Sequence, residues 1–118
     1  MSRPLSVYCL CADWCGVCRE YRPLFDALAR EHPGLHFESI DIEDEADLMG
    51  DIDVETFPTL LIAEGDEPRF FGPVLPREEA LKAALRSARA GATVDDPEVR
   101  RLVQALGSRD APAAQADT

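Results

Sequence analysis

The residues best suited to chemistry form one short stretch, Trp14-Cys15-Gly16-Val17-Cys18. Two cysteines separated by two residues can close into a small disulfide only when a turn or a helix start brings them together. A helix that begins at the first cysteine also offers unpaired N–H groups and the positive end of its dipole, which stabilise a thiolate. We therefore predict an exposed, acidic thiol at Cys15 and a second thiol one turn deeper at Cys18.

The four cysteines follow the pattern C-x-C-x3-C-x2-C between residues 9 and 18, which raises zinc or an iron–sulfur cluster as an alternative. A metal would need all four sulfurs to converge on one point. A pair on a strand and a pair at a helix start reach that arrangement only with distortion. His32 and His36 lie beyond the predicted helix and are interpreted as surface residues. We expect no metal.

Apolar spacing predicts the elements that position the motif. Leu5–Cys11 is a short apolar run, typical of a strand buried on both faces. From Gly16 to about Arg30, apolar residues recur at helical spacing, and Pro23 inside this helix is expected to cause a kink. A second strand is predicted over residues 35–42, parallel to the first because a helix separates them, and a short helix over 44–50.

The second half of the chain predicts an antiparallel hairpin followed by two helices. Residues 59–63 and 69–71 read as strands joined by a turn, and residues 76–90 as an amphipathic helix. Residues 97–106 form another apolar stripe, which we expect Gly107 to end. This stripe must be covered, either by packing on the sheet edge or the body, or by a second copy of the chain.

Length and charge narrow the class of protein. The chain has 118 residues, which is one domain, and a formal net charge of −11, which disfavours nucleic acid and anionic membrane surfaces. No stretch is apolar enough to span a bilayer, and the first residues lack the shape of a secretory signal. Cysteines clustered within ten residues do not form a disulfide framework. We therefore expect a protein of the reducing cytoplasm.

A second motif, Thr56-Phe57-Pro58-Thr59, precedes the third strand. With the Trp-Cys-Gly-x-Cys motif at the first strand–helix junction, the chain resembles the thioredoxin family from about Leu5 to Ala90. The resemblance implies an α/β thioredoxin fold, with a central four-stranded mixed sheet flanked by helices, plus an extra C-terminal helix. Four strands are expected because little sequence precedes Leu5, where the family usually has a further strand and helix.

The resemblance implies thiol–disulfide exchange with protein disulfide substrates. Cys15 attacks, a mixed disulfide forms, and Cys18 resolves it, so that the chain needs no cofactor beyond the Cys15–Cys18 disulfide. A reductase or another thiol system then recharges the dithiol.

The resemblance also implies a docking surface. Pro58 would be cis and face the disulfide, exposing the backbone of the preceding residue to pair with an extended substrate segment. The residues assigned to this surface are Trp14, Phe57, Pro58 and Gly72.

Departures from the family concern redox tuning. Val17 replaces a proline and restores an N–H near the sulfurs, so we predict a potential less negative than the roughly −270 mV of thioredoxin. Cys9 and Ser39 occupy the positions of a buried aspartate and its lysine. Cys9 and Cys11 share a strand face and are interpreted as small buried hydrophobes. The alternative is that Cys9 lies near Cys18, where it tunes its pKa or forms a second disulfide. Asp13 is a candidate proton relay.

Two other function classes remain open. A thioredoxin-fold adaptor or chaperone would dock partners with little turnover, and a periplasmic electron-relay domain would share the Ala-Asp-Trp-Cys sequence.

The sequence predicts a thioredoxin-like domain over residues 1–90, a linker and additional helix over 91–107, and a disordered tail over 108–118. It predicts a monomer or a weak homodimer.

Overall fold

The computed structural model describes residues 5–12, 16–50, 52, 54 and 58–116, with side chains described as far as residue 107. The elements follow the order that the sequence predicts, with boundaries that differ by one or two residues in most cases. They are β1 (Leu5–Cys11), α1 (Gly16–Glu31), β2 (His36–Asp41), α2 (Ala46–Met49), β3 (Thr59–Glu64), β4 (Glu67–Pro73), α3 (Glu78–Arg89) and α4 (Pro97–Ala116). In the described part of the chain, no helix combines the length and apolar character that crossing a membrane requires.

The four strands form one mixed sheet in the order β2-β1-β3-β4. β1 runs parallel to β2 and antiparallel to β3, and β3 pairs with β4 as a hairpin. The parallel pair arises because α1 carries the chain back across the sheet between β1 and β2. The predicted four-stranded mixed sheet is confirmed.

One face of the sheet is covered by α1 and α3. Tyr21, Phe25 and Leu28 of α1 pack with Leu81 and Leu85 of α3, and all five side chains are at most 3% exposed. The strand residues beneath them point to this face because side chains alternate along a strand. From β1 these residues are Leu5, Val7, Cys9 and Cys11.

The opposite face is covered by α4, with the short α2 beside it. Leu102 and Leu106 of α4 are buried against Leu10 and Leu61 of the sheet. Arg101 donates a hydrogen bond of 3.1 Å to the backbone carbonyl of Met49, which joins α4 to α2. The predicted apolar stripe of this helix therefore packs on a face of the sheet, which is the body of the protein rather than its edge.

The end of α4 differs from the prediction. The sequence places the stop at Gly107 and a disordered tail after it, but the helix continues to Ala116. A glycine inside a helix costs only about 1 kcal/mol relative to alanine, although Pro112, further along the same helix, is more unfavourable. The cost of the glycine is too small to end a helix by itself. The division of the chain at residue 90 stays a prediction.

Candidate redox site

The first turn of α1 carries the second motif cysteine. β1 ends at Cys11 and α1 begins at Gly16, so the motif spans the strand–helix junction. Cys18 lies in the first helical turn and is 3% exposed, as expected for the deeper thiol. Asp13, Trp14 and Cys15 lie outside the described residues, so the predicted exposure and acidity of Cys15 stay predictions.

The sulfur of Cys18 is paired with that of Cys11. Their Sγ atoms are at disulfide-bonding distance, and their Cα atoms are 5.9 Å apart, inside the range that disulfides require. On sequence grounds, Cys9 and Cys11 are interpreted as small buried hydrophobes, with Cys9 near Cys18 as the alternative. Both cysteines are buried, but the sulfur that meets Cys18 is that of Cys11. Cys11 ends β1 and is nearest to the helix start, whereas Cys9 lies about 6.6 Å further back along the strand.

Cys9 is the third sulfur of this cluster. Its Sγ lies 3.3 Å from the Sγ of Cys11, and its side chain is buried. Burial removes solvent from the thiolate and raises the pKa of Cys9 from 9.0 to about 12, although the positive charge of Arg22 opposes this shift. Cys9 is therefore a neutral thiol near pH 7. It cannot accept a proton as the aspartate implied by the resemblance would.

Tyr21 lies on α1 one turn after Cys18 and belongs to the same buried cluster as the three cysteines. The ring is 1% exposed, and among the described residues its hydroxyl has no hydrogen-bond partner. Burial raises the pKa of Tyr21, and the nearby Cys9 raises it further. Both groups stay uncharged at neutral pH, so neither Cys9 nor Tyr21 acts as a base beside the Cys11–Cys18 pair.

The strand register brings Pro58 and Gly72 to the same end of the sheet. Leu10 pairs with Thr59, so the next position places Pro58 level with Cys11. Val74 donates a backbone hydrogen bond of 3.1 Å to the carbonyl of Pro58. Gly72 pairs with the second residue of β3, and a Cβ built on it would meet open space. Phe57 lies outside the described residues, so the cis geometry of its bond to Pro58 stays a prediction.

Exposed apolar side chains mark the same end of the molecule. Among the described residues, the large hydrophobic side chains that are exposed are Val17, at 38%, and Leu75, at 62%. Val17 is the second residue of α1, and Leu75 follows Val74 just beyond the end of β4. No sequence pattern singles out Leu75. The feature that could have identified it is its position: Leu75 lies between β4 and α3 and belongs to the apolar pattern of neither element.

Metal binding finds no support in the described ranges. They hold no group of three or more histidine, cysteine, aspartate or glutamate side chains arranged to bind a metal ion. His36 instead pairs with Glu38 at 3.0 Å.

Comparison with known proteins assigns the fold and the motif to a family. The family model described as Thioredoxin matches residues 3–87. This chain belongs to the thioredoxin family.

The thioredoxin-family chain is 32% identical over 92 residues to Putative thioredoxin 2 of Streptomyces coelicolor, covering 78% of the chain and 66% of that protein. It spans about half the length of several other curated thioredoxins, such as 49% of Thioredoxin-1 of Caenorhabditis elegans.

Among solved structures, Fasciola hepatica thioredoxin aligns with a TM-score of 0.64 and 25% identity, over 70% of this chain and 79% of that one. A thioredoxin f2, described in a complex with ferredoxin:thioredoxin reductase, aligns with a TM-score of 0.65 and 22% identity, over 73% and 78%.

Proposed function

We propose that this thioredoxin-family chain is a thiol–disulfide oxidoreductase that reduces disulfides in proteins through Cys15 and Cys18. The observation that carries the proposal is the position of Cys18. It lies buried in the first turn of α1, and its sulfur contacts another sulfur at bonding distance. A cysteine three residues earlier in sequence is then adjacent to the start of that helix, where a thiolate is stabilised.

Two displacements complete the proposed reaction. The Cys15 thiolate attacks one sulfur of the substrate disulfide, forming a Cys15–substrate bond and releasing the other substrate sulfur as a thiolate, which takes up a proton. Cys18 loses its proton and attacks the Cys15 sulfur. The Cys15–Cys18 bond forms and the second substrate thiolate leaves, so that the substrate gains two electrons and the enzyme is oxidised.

Substrate recognition is proposed at the apolar end of the sheet. The exposed side chains of Val17 and Leu75 and the open space beside Gly72 would accept an extended segment near the dithiol. Trp14 and Phe57 are proposed to contribute to this surface from their positions in the two motifs.

Recharging requires an electron donor. The alignment with thioredoxin f2, a protein described together with a reductase, supports a reductase as that donor, and a general thiol system is the alternative. We propose that the protein works in a reducing compartment, the cytoplasm. Its four cysteines are clustered between residues 9 and 18, whereas the structural disulfides of secreted proteins join distant parts of the chain.

Insulin reduction with dithiothreitol tests the proposed activity. We expect wild type to accelerate the precipitation of reduced insulin chains and Cys15→Ser to abolish that acceleration. Cys18→Ser should retain the first attack but lose resolution, so it should accumulate a mixed disulfide with a protein substrate.

The matched pair of cysteine variants separates catalysis from docking. A mixed disulfide in Cys18→Ser but none in Cys15→Ser supports the proposed order of attack. Wild type no faster than dithiothreitol alone would overturn the oxidoreductase and favour an adaptor that docks partners without turnover.

A further inference from the structure

The sulfur of Cys11 lies close to two other sulfurs, those of Cys18 and Cys9. Cys18 is at bonding distance from Cys11, and the Sγ of Cys9 is 3.3 Å from that of Cys11. All three side chains are at most 5% exposed. The proposed reaction uses Cys18 with Cys15, so the two strand cysteines have no part in it.

We propose that Cys11 and Cys18 form a second, internal disulfide that competes with the Cys15–Cys18 disulfide and withdraws the resolving thiol from catalysis. This inference rests on the proposed function, since it concerns the fate of the oxidised form. The contact that carries it is the Cys11–Cys18 pair itself, whose Cα separation of 5.9 Å lets a disulfide form without backbone movement.

The internal disulfide forms by exchange within the oxidised chain. Cys11 loses its proton and attacks the sulfur of Cys18, so the Cys11–Cys18 bond forms and the Cys15–Cys18 bond breaks. The electron pair leaves with Cys15 as a thiolate, which takes up the proton. The number of disulfides is unchanged, and no external oxidant is needed.

Cys9 assists the attack by Cys11 and does not itself form the bond to Cys18. The high pKa that burial gives its thiol keeps Cys9 protonated at neutral pH, so it can donate a hydrogen bond to the attacking sulfur of Cys11. Cys9 lies two positions further back along β1, so the strand cysteine at bonding distance from Cys18 is Cys11. We therefore expect exchange to stop at Cys11 and no Cys9–Cys18 disulfide to form.

The internal disulfide changes what the oxidised protein can do. Cys11 and Cys18 are 5% and 3% exposed, so a protein reductant cannot reach their bond. Cys15 is left as a single thiol that can still attack a substrate, but Cys18 is no longer free to resolve the mixed disulfide. Attack of the Cys15 thiolate on Cys18 reverses the exchange and restores the working pair.

Peptide mapping can tell the two disulfides apart, because an aspartate separates the two pairs of cysteines. The protein is equilibrated with reduced and oxidised glutathione, blocked with N-ethylmaleimide and cut before aspartate. Cleavage before Asp13 and Asp26 gives residues 1–12, with both strand cysteines, and residues 13–25, with both motif cysteines. A Cys15–Cys18 disulfide stays within the second peptide, whereas the internal disulfide links the two peptides.

We expect linked peptides in wild type, with N-ethylmaleimide on Cys15, and a larger linked fraction in Cys15→Ser. The link should be lost in Cys15→Ser/Cys11→Ala and kept in the matched control Cys15→Ser/Cys9→Ala. Far-ultraviolet circular dichroism checks that each variant is folded. If Cys11→Ala does not fold, the position of the maleimide on wild-type fragments identifies the linked cysteine.

Failure of this inference differs from failure of the proposed function. Absence of linked peptides from both wild type and Cys15→Ser, or their loss in the Cys9→Ala control, overturns the internal Cys11–Cys18 disulfide even if wild type reduces insulin. A link in a protein that does not reduce insulin supports the internal bond and overturns the catalytic role instead.

Discussion

At the scale of single residues, burial decides which sulfurs can react. Cys9 lies in an apolar cluster with Tyr21, and its thiol keeps its proton because no solvent stabilises the thiolate. Tyr21 keeps its proton for the same reason. Neither Cys9 nor Tyr21 is therefore a base near Cys18 at neutral pH, and in the described part of the chain no carboxylate is buried.

The raised pKa of Cys9 predicts a loss of stability at alkaline pH. The folded state holds the Cys9 proton until about pH 12, whereas the unfolded chain releases it near 9.0. The free energy of unfolding should be unaffected by this group below about pH 9 and should fall as pH rises from there toward 12, by up to ~1.4 kcal/mol per pH unit. Urea denaturation over a pH series, with a phosphine reductant present, measures this slope.

The controls for that series come from the same strand. Cys9→Ala should show a smaller alkaline slope, whereas Val7→Ala, a truncation on the same face of β1, should be destabilised but keep the wild-type slope. Equal alkaline slopes in wild type and Cys9→Ala would contradict the assignment of the shift to Cys9.

At the scale of elements, we predict that the first turn of α1 tunes the redox potential. Val17 is the second residue of the helix, and its backbone N–H is among those without a partner inside the helix. Such a group near the sulfurs favours the thiolate and hence the reduced dithiol. Its side chain is 38% exposed, so a change there leaves the core intact.

Val17→Pro should make the potential more negative. Proline is tolerated in a first helical turn but removes the N–H. A hydrogen bond to a charged group is worth about 1.5 kcal/mol, so the expected shift is on the order of 30 mV. Titration of each protein against glutathione measures it. Val17→Ala, which keeps the N–H, serves as the control, and a proline variant with an unchanged or less negative potential would refute the argument.

The C-terminal helix closes one face of the sheet. Leu102 is 1% exposed in the cluster that also holds Leu10 and Leu61. Gly50, at the end of α2, adopts φ +58°, and a Cβ there would overlap the guanidinium of Arg101. α4 is thus an integral part of the core on this side.

Shortening a buried side chain of α4 should therefore lower the free energy of unfolding of the whole domain. Leu102→Ala is expected to lower the free energy of unfolding by about 2–5 kcal/mol, because it removes buried methyl groups and leaves a cavity. Gln104→Ala changes an exposed position on the same helix and should shift it by less than about 0.5 kcal/mol. Chemical denaturation of both variants measures the difference, and similar small effects would show that α4 does not contribute to the core.

At the scale of the whole molecule, the charge and the covered faces both oppose self-association. The formal net charge is −11, and the apolar stripe of α4 is buried on the sheet of the same chain. Exposed large hydrophobic side chains in the described part are limited to Val17 and Leu75. This arrangement favours the monomer over the weak homodimer that the sequence left open.

Light scattering should give a mass near 13.0 kDa at both low and high protein concentration. High salt screens the repulsion between negative molecules, and the mass should stay the same there because the apolar stripe of α4 up to Leu106 is buried. A mass that rises with concentration under reducing conditions would indicate that Leu75 or another surface joins two copies.

The sequence alone determined the order of the elements, because periodic apolar residues identify strands and helices. The family and the four-stranded sheet came from the resemblance carried by the Trp-Cys-Gly-Val-Cys and Thr-Phe-Pro-Thr motifs, and both are confirmed. The sequence also correctly placed Cys9 and Cys11 on one face, because side chains alternate along any strand.

Only the tertiary structure decided which strand cysteine meets Cys18 and where α4 packs. The sulfur of Cys18 meets that of Cys11 rather than that of Cys9, and this choice depends on how α1 packs on β1. The apolar stripe of α4 indicates in the sequence that another surface must cover it. Which surface does so depends on the assembled sheet, whose residues Leu10 and Leu61 share its cluster. Both outcomes depend on how a helix packs on the sheet, and a one-dimensional pattern does not contain that packing.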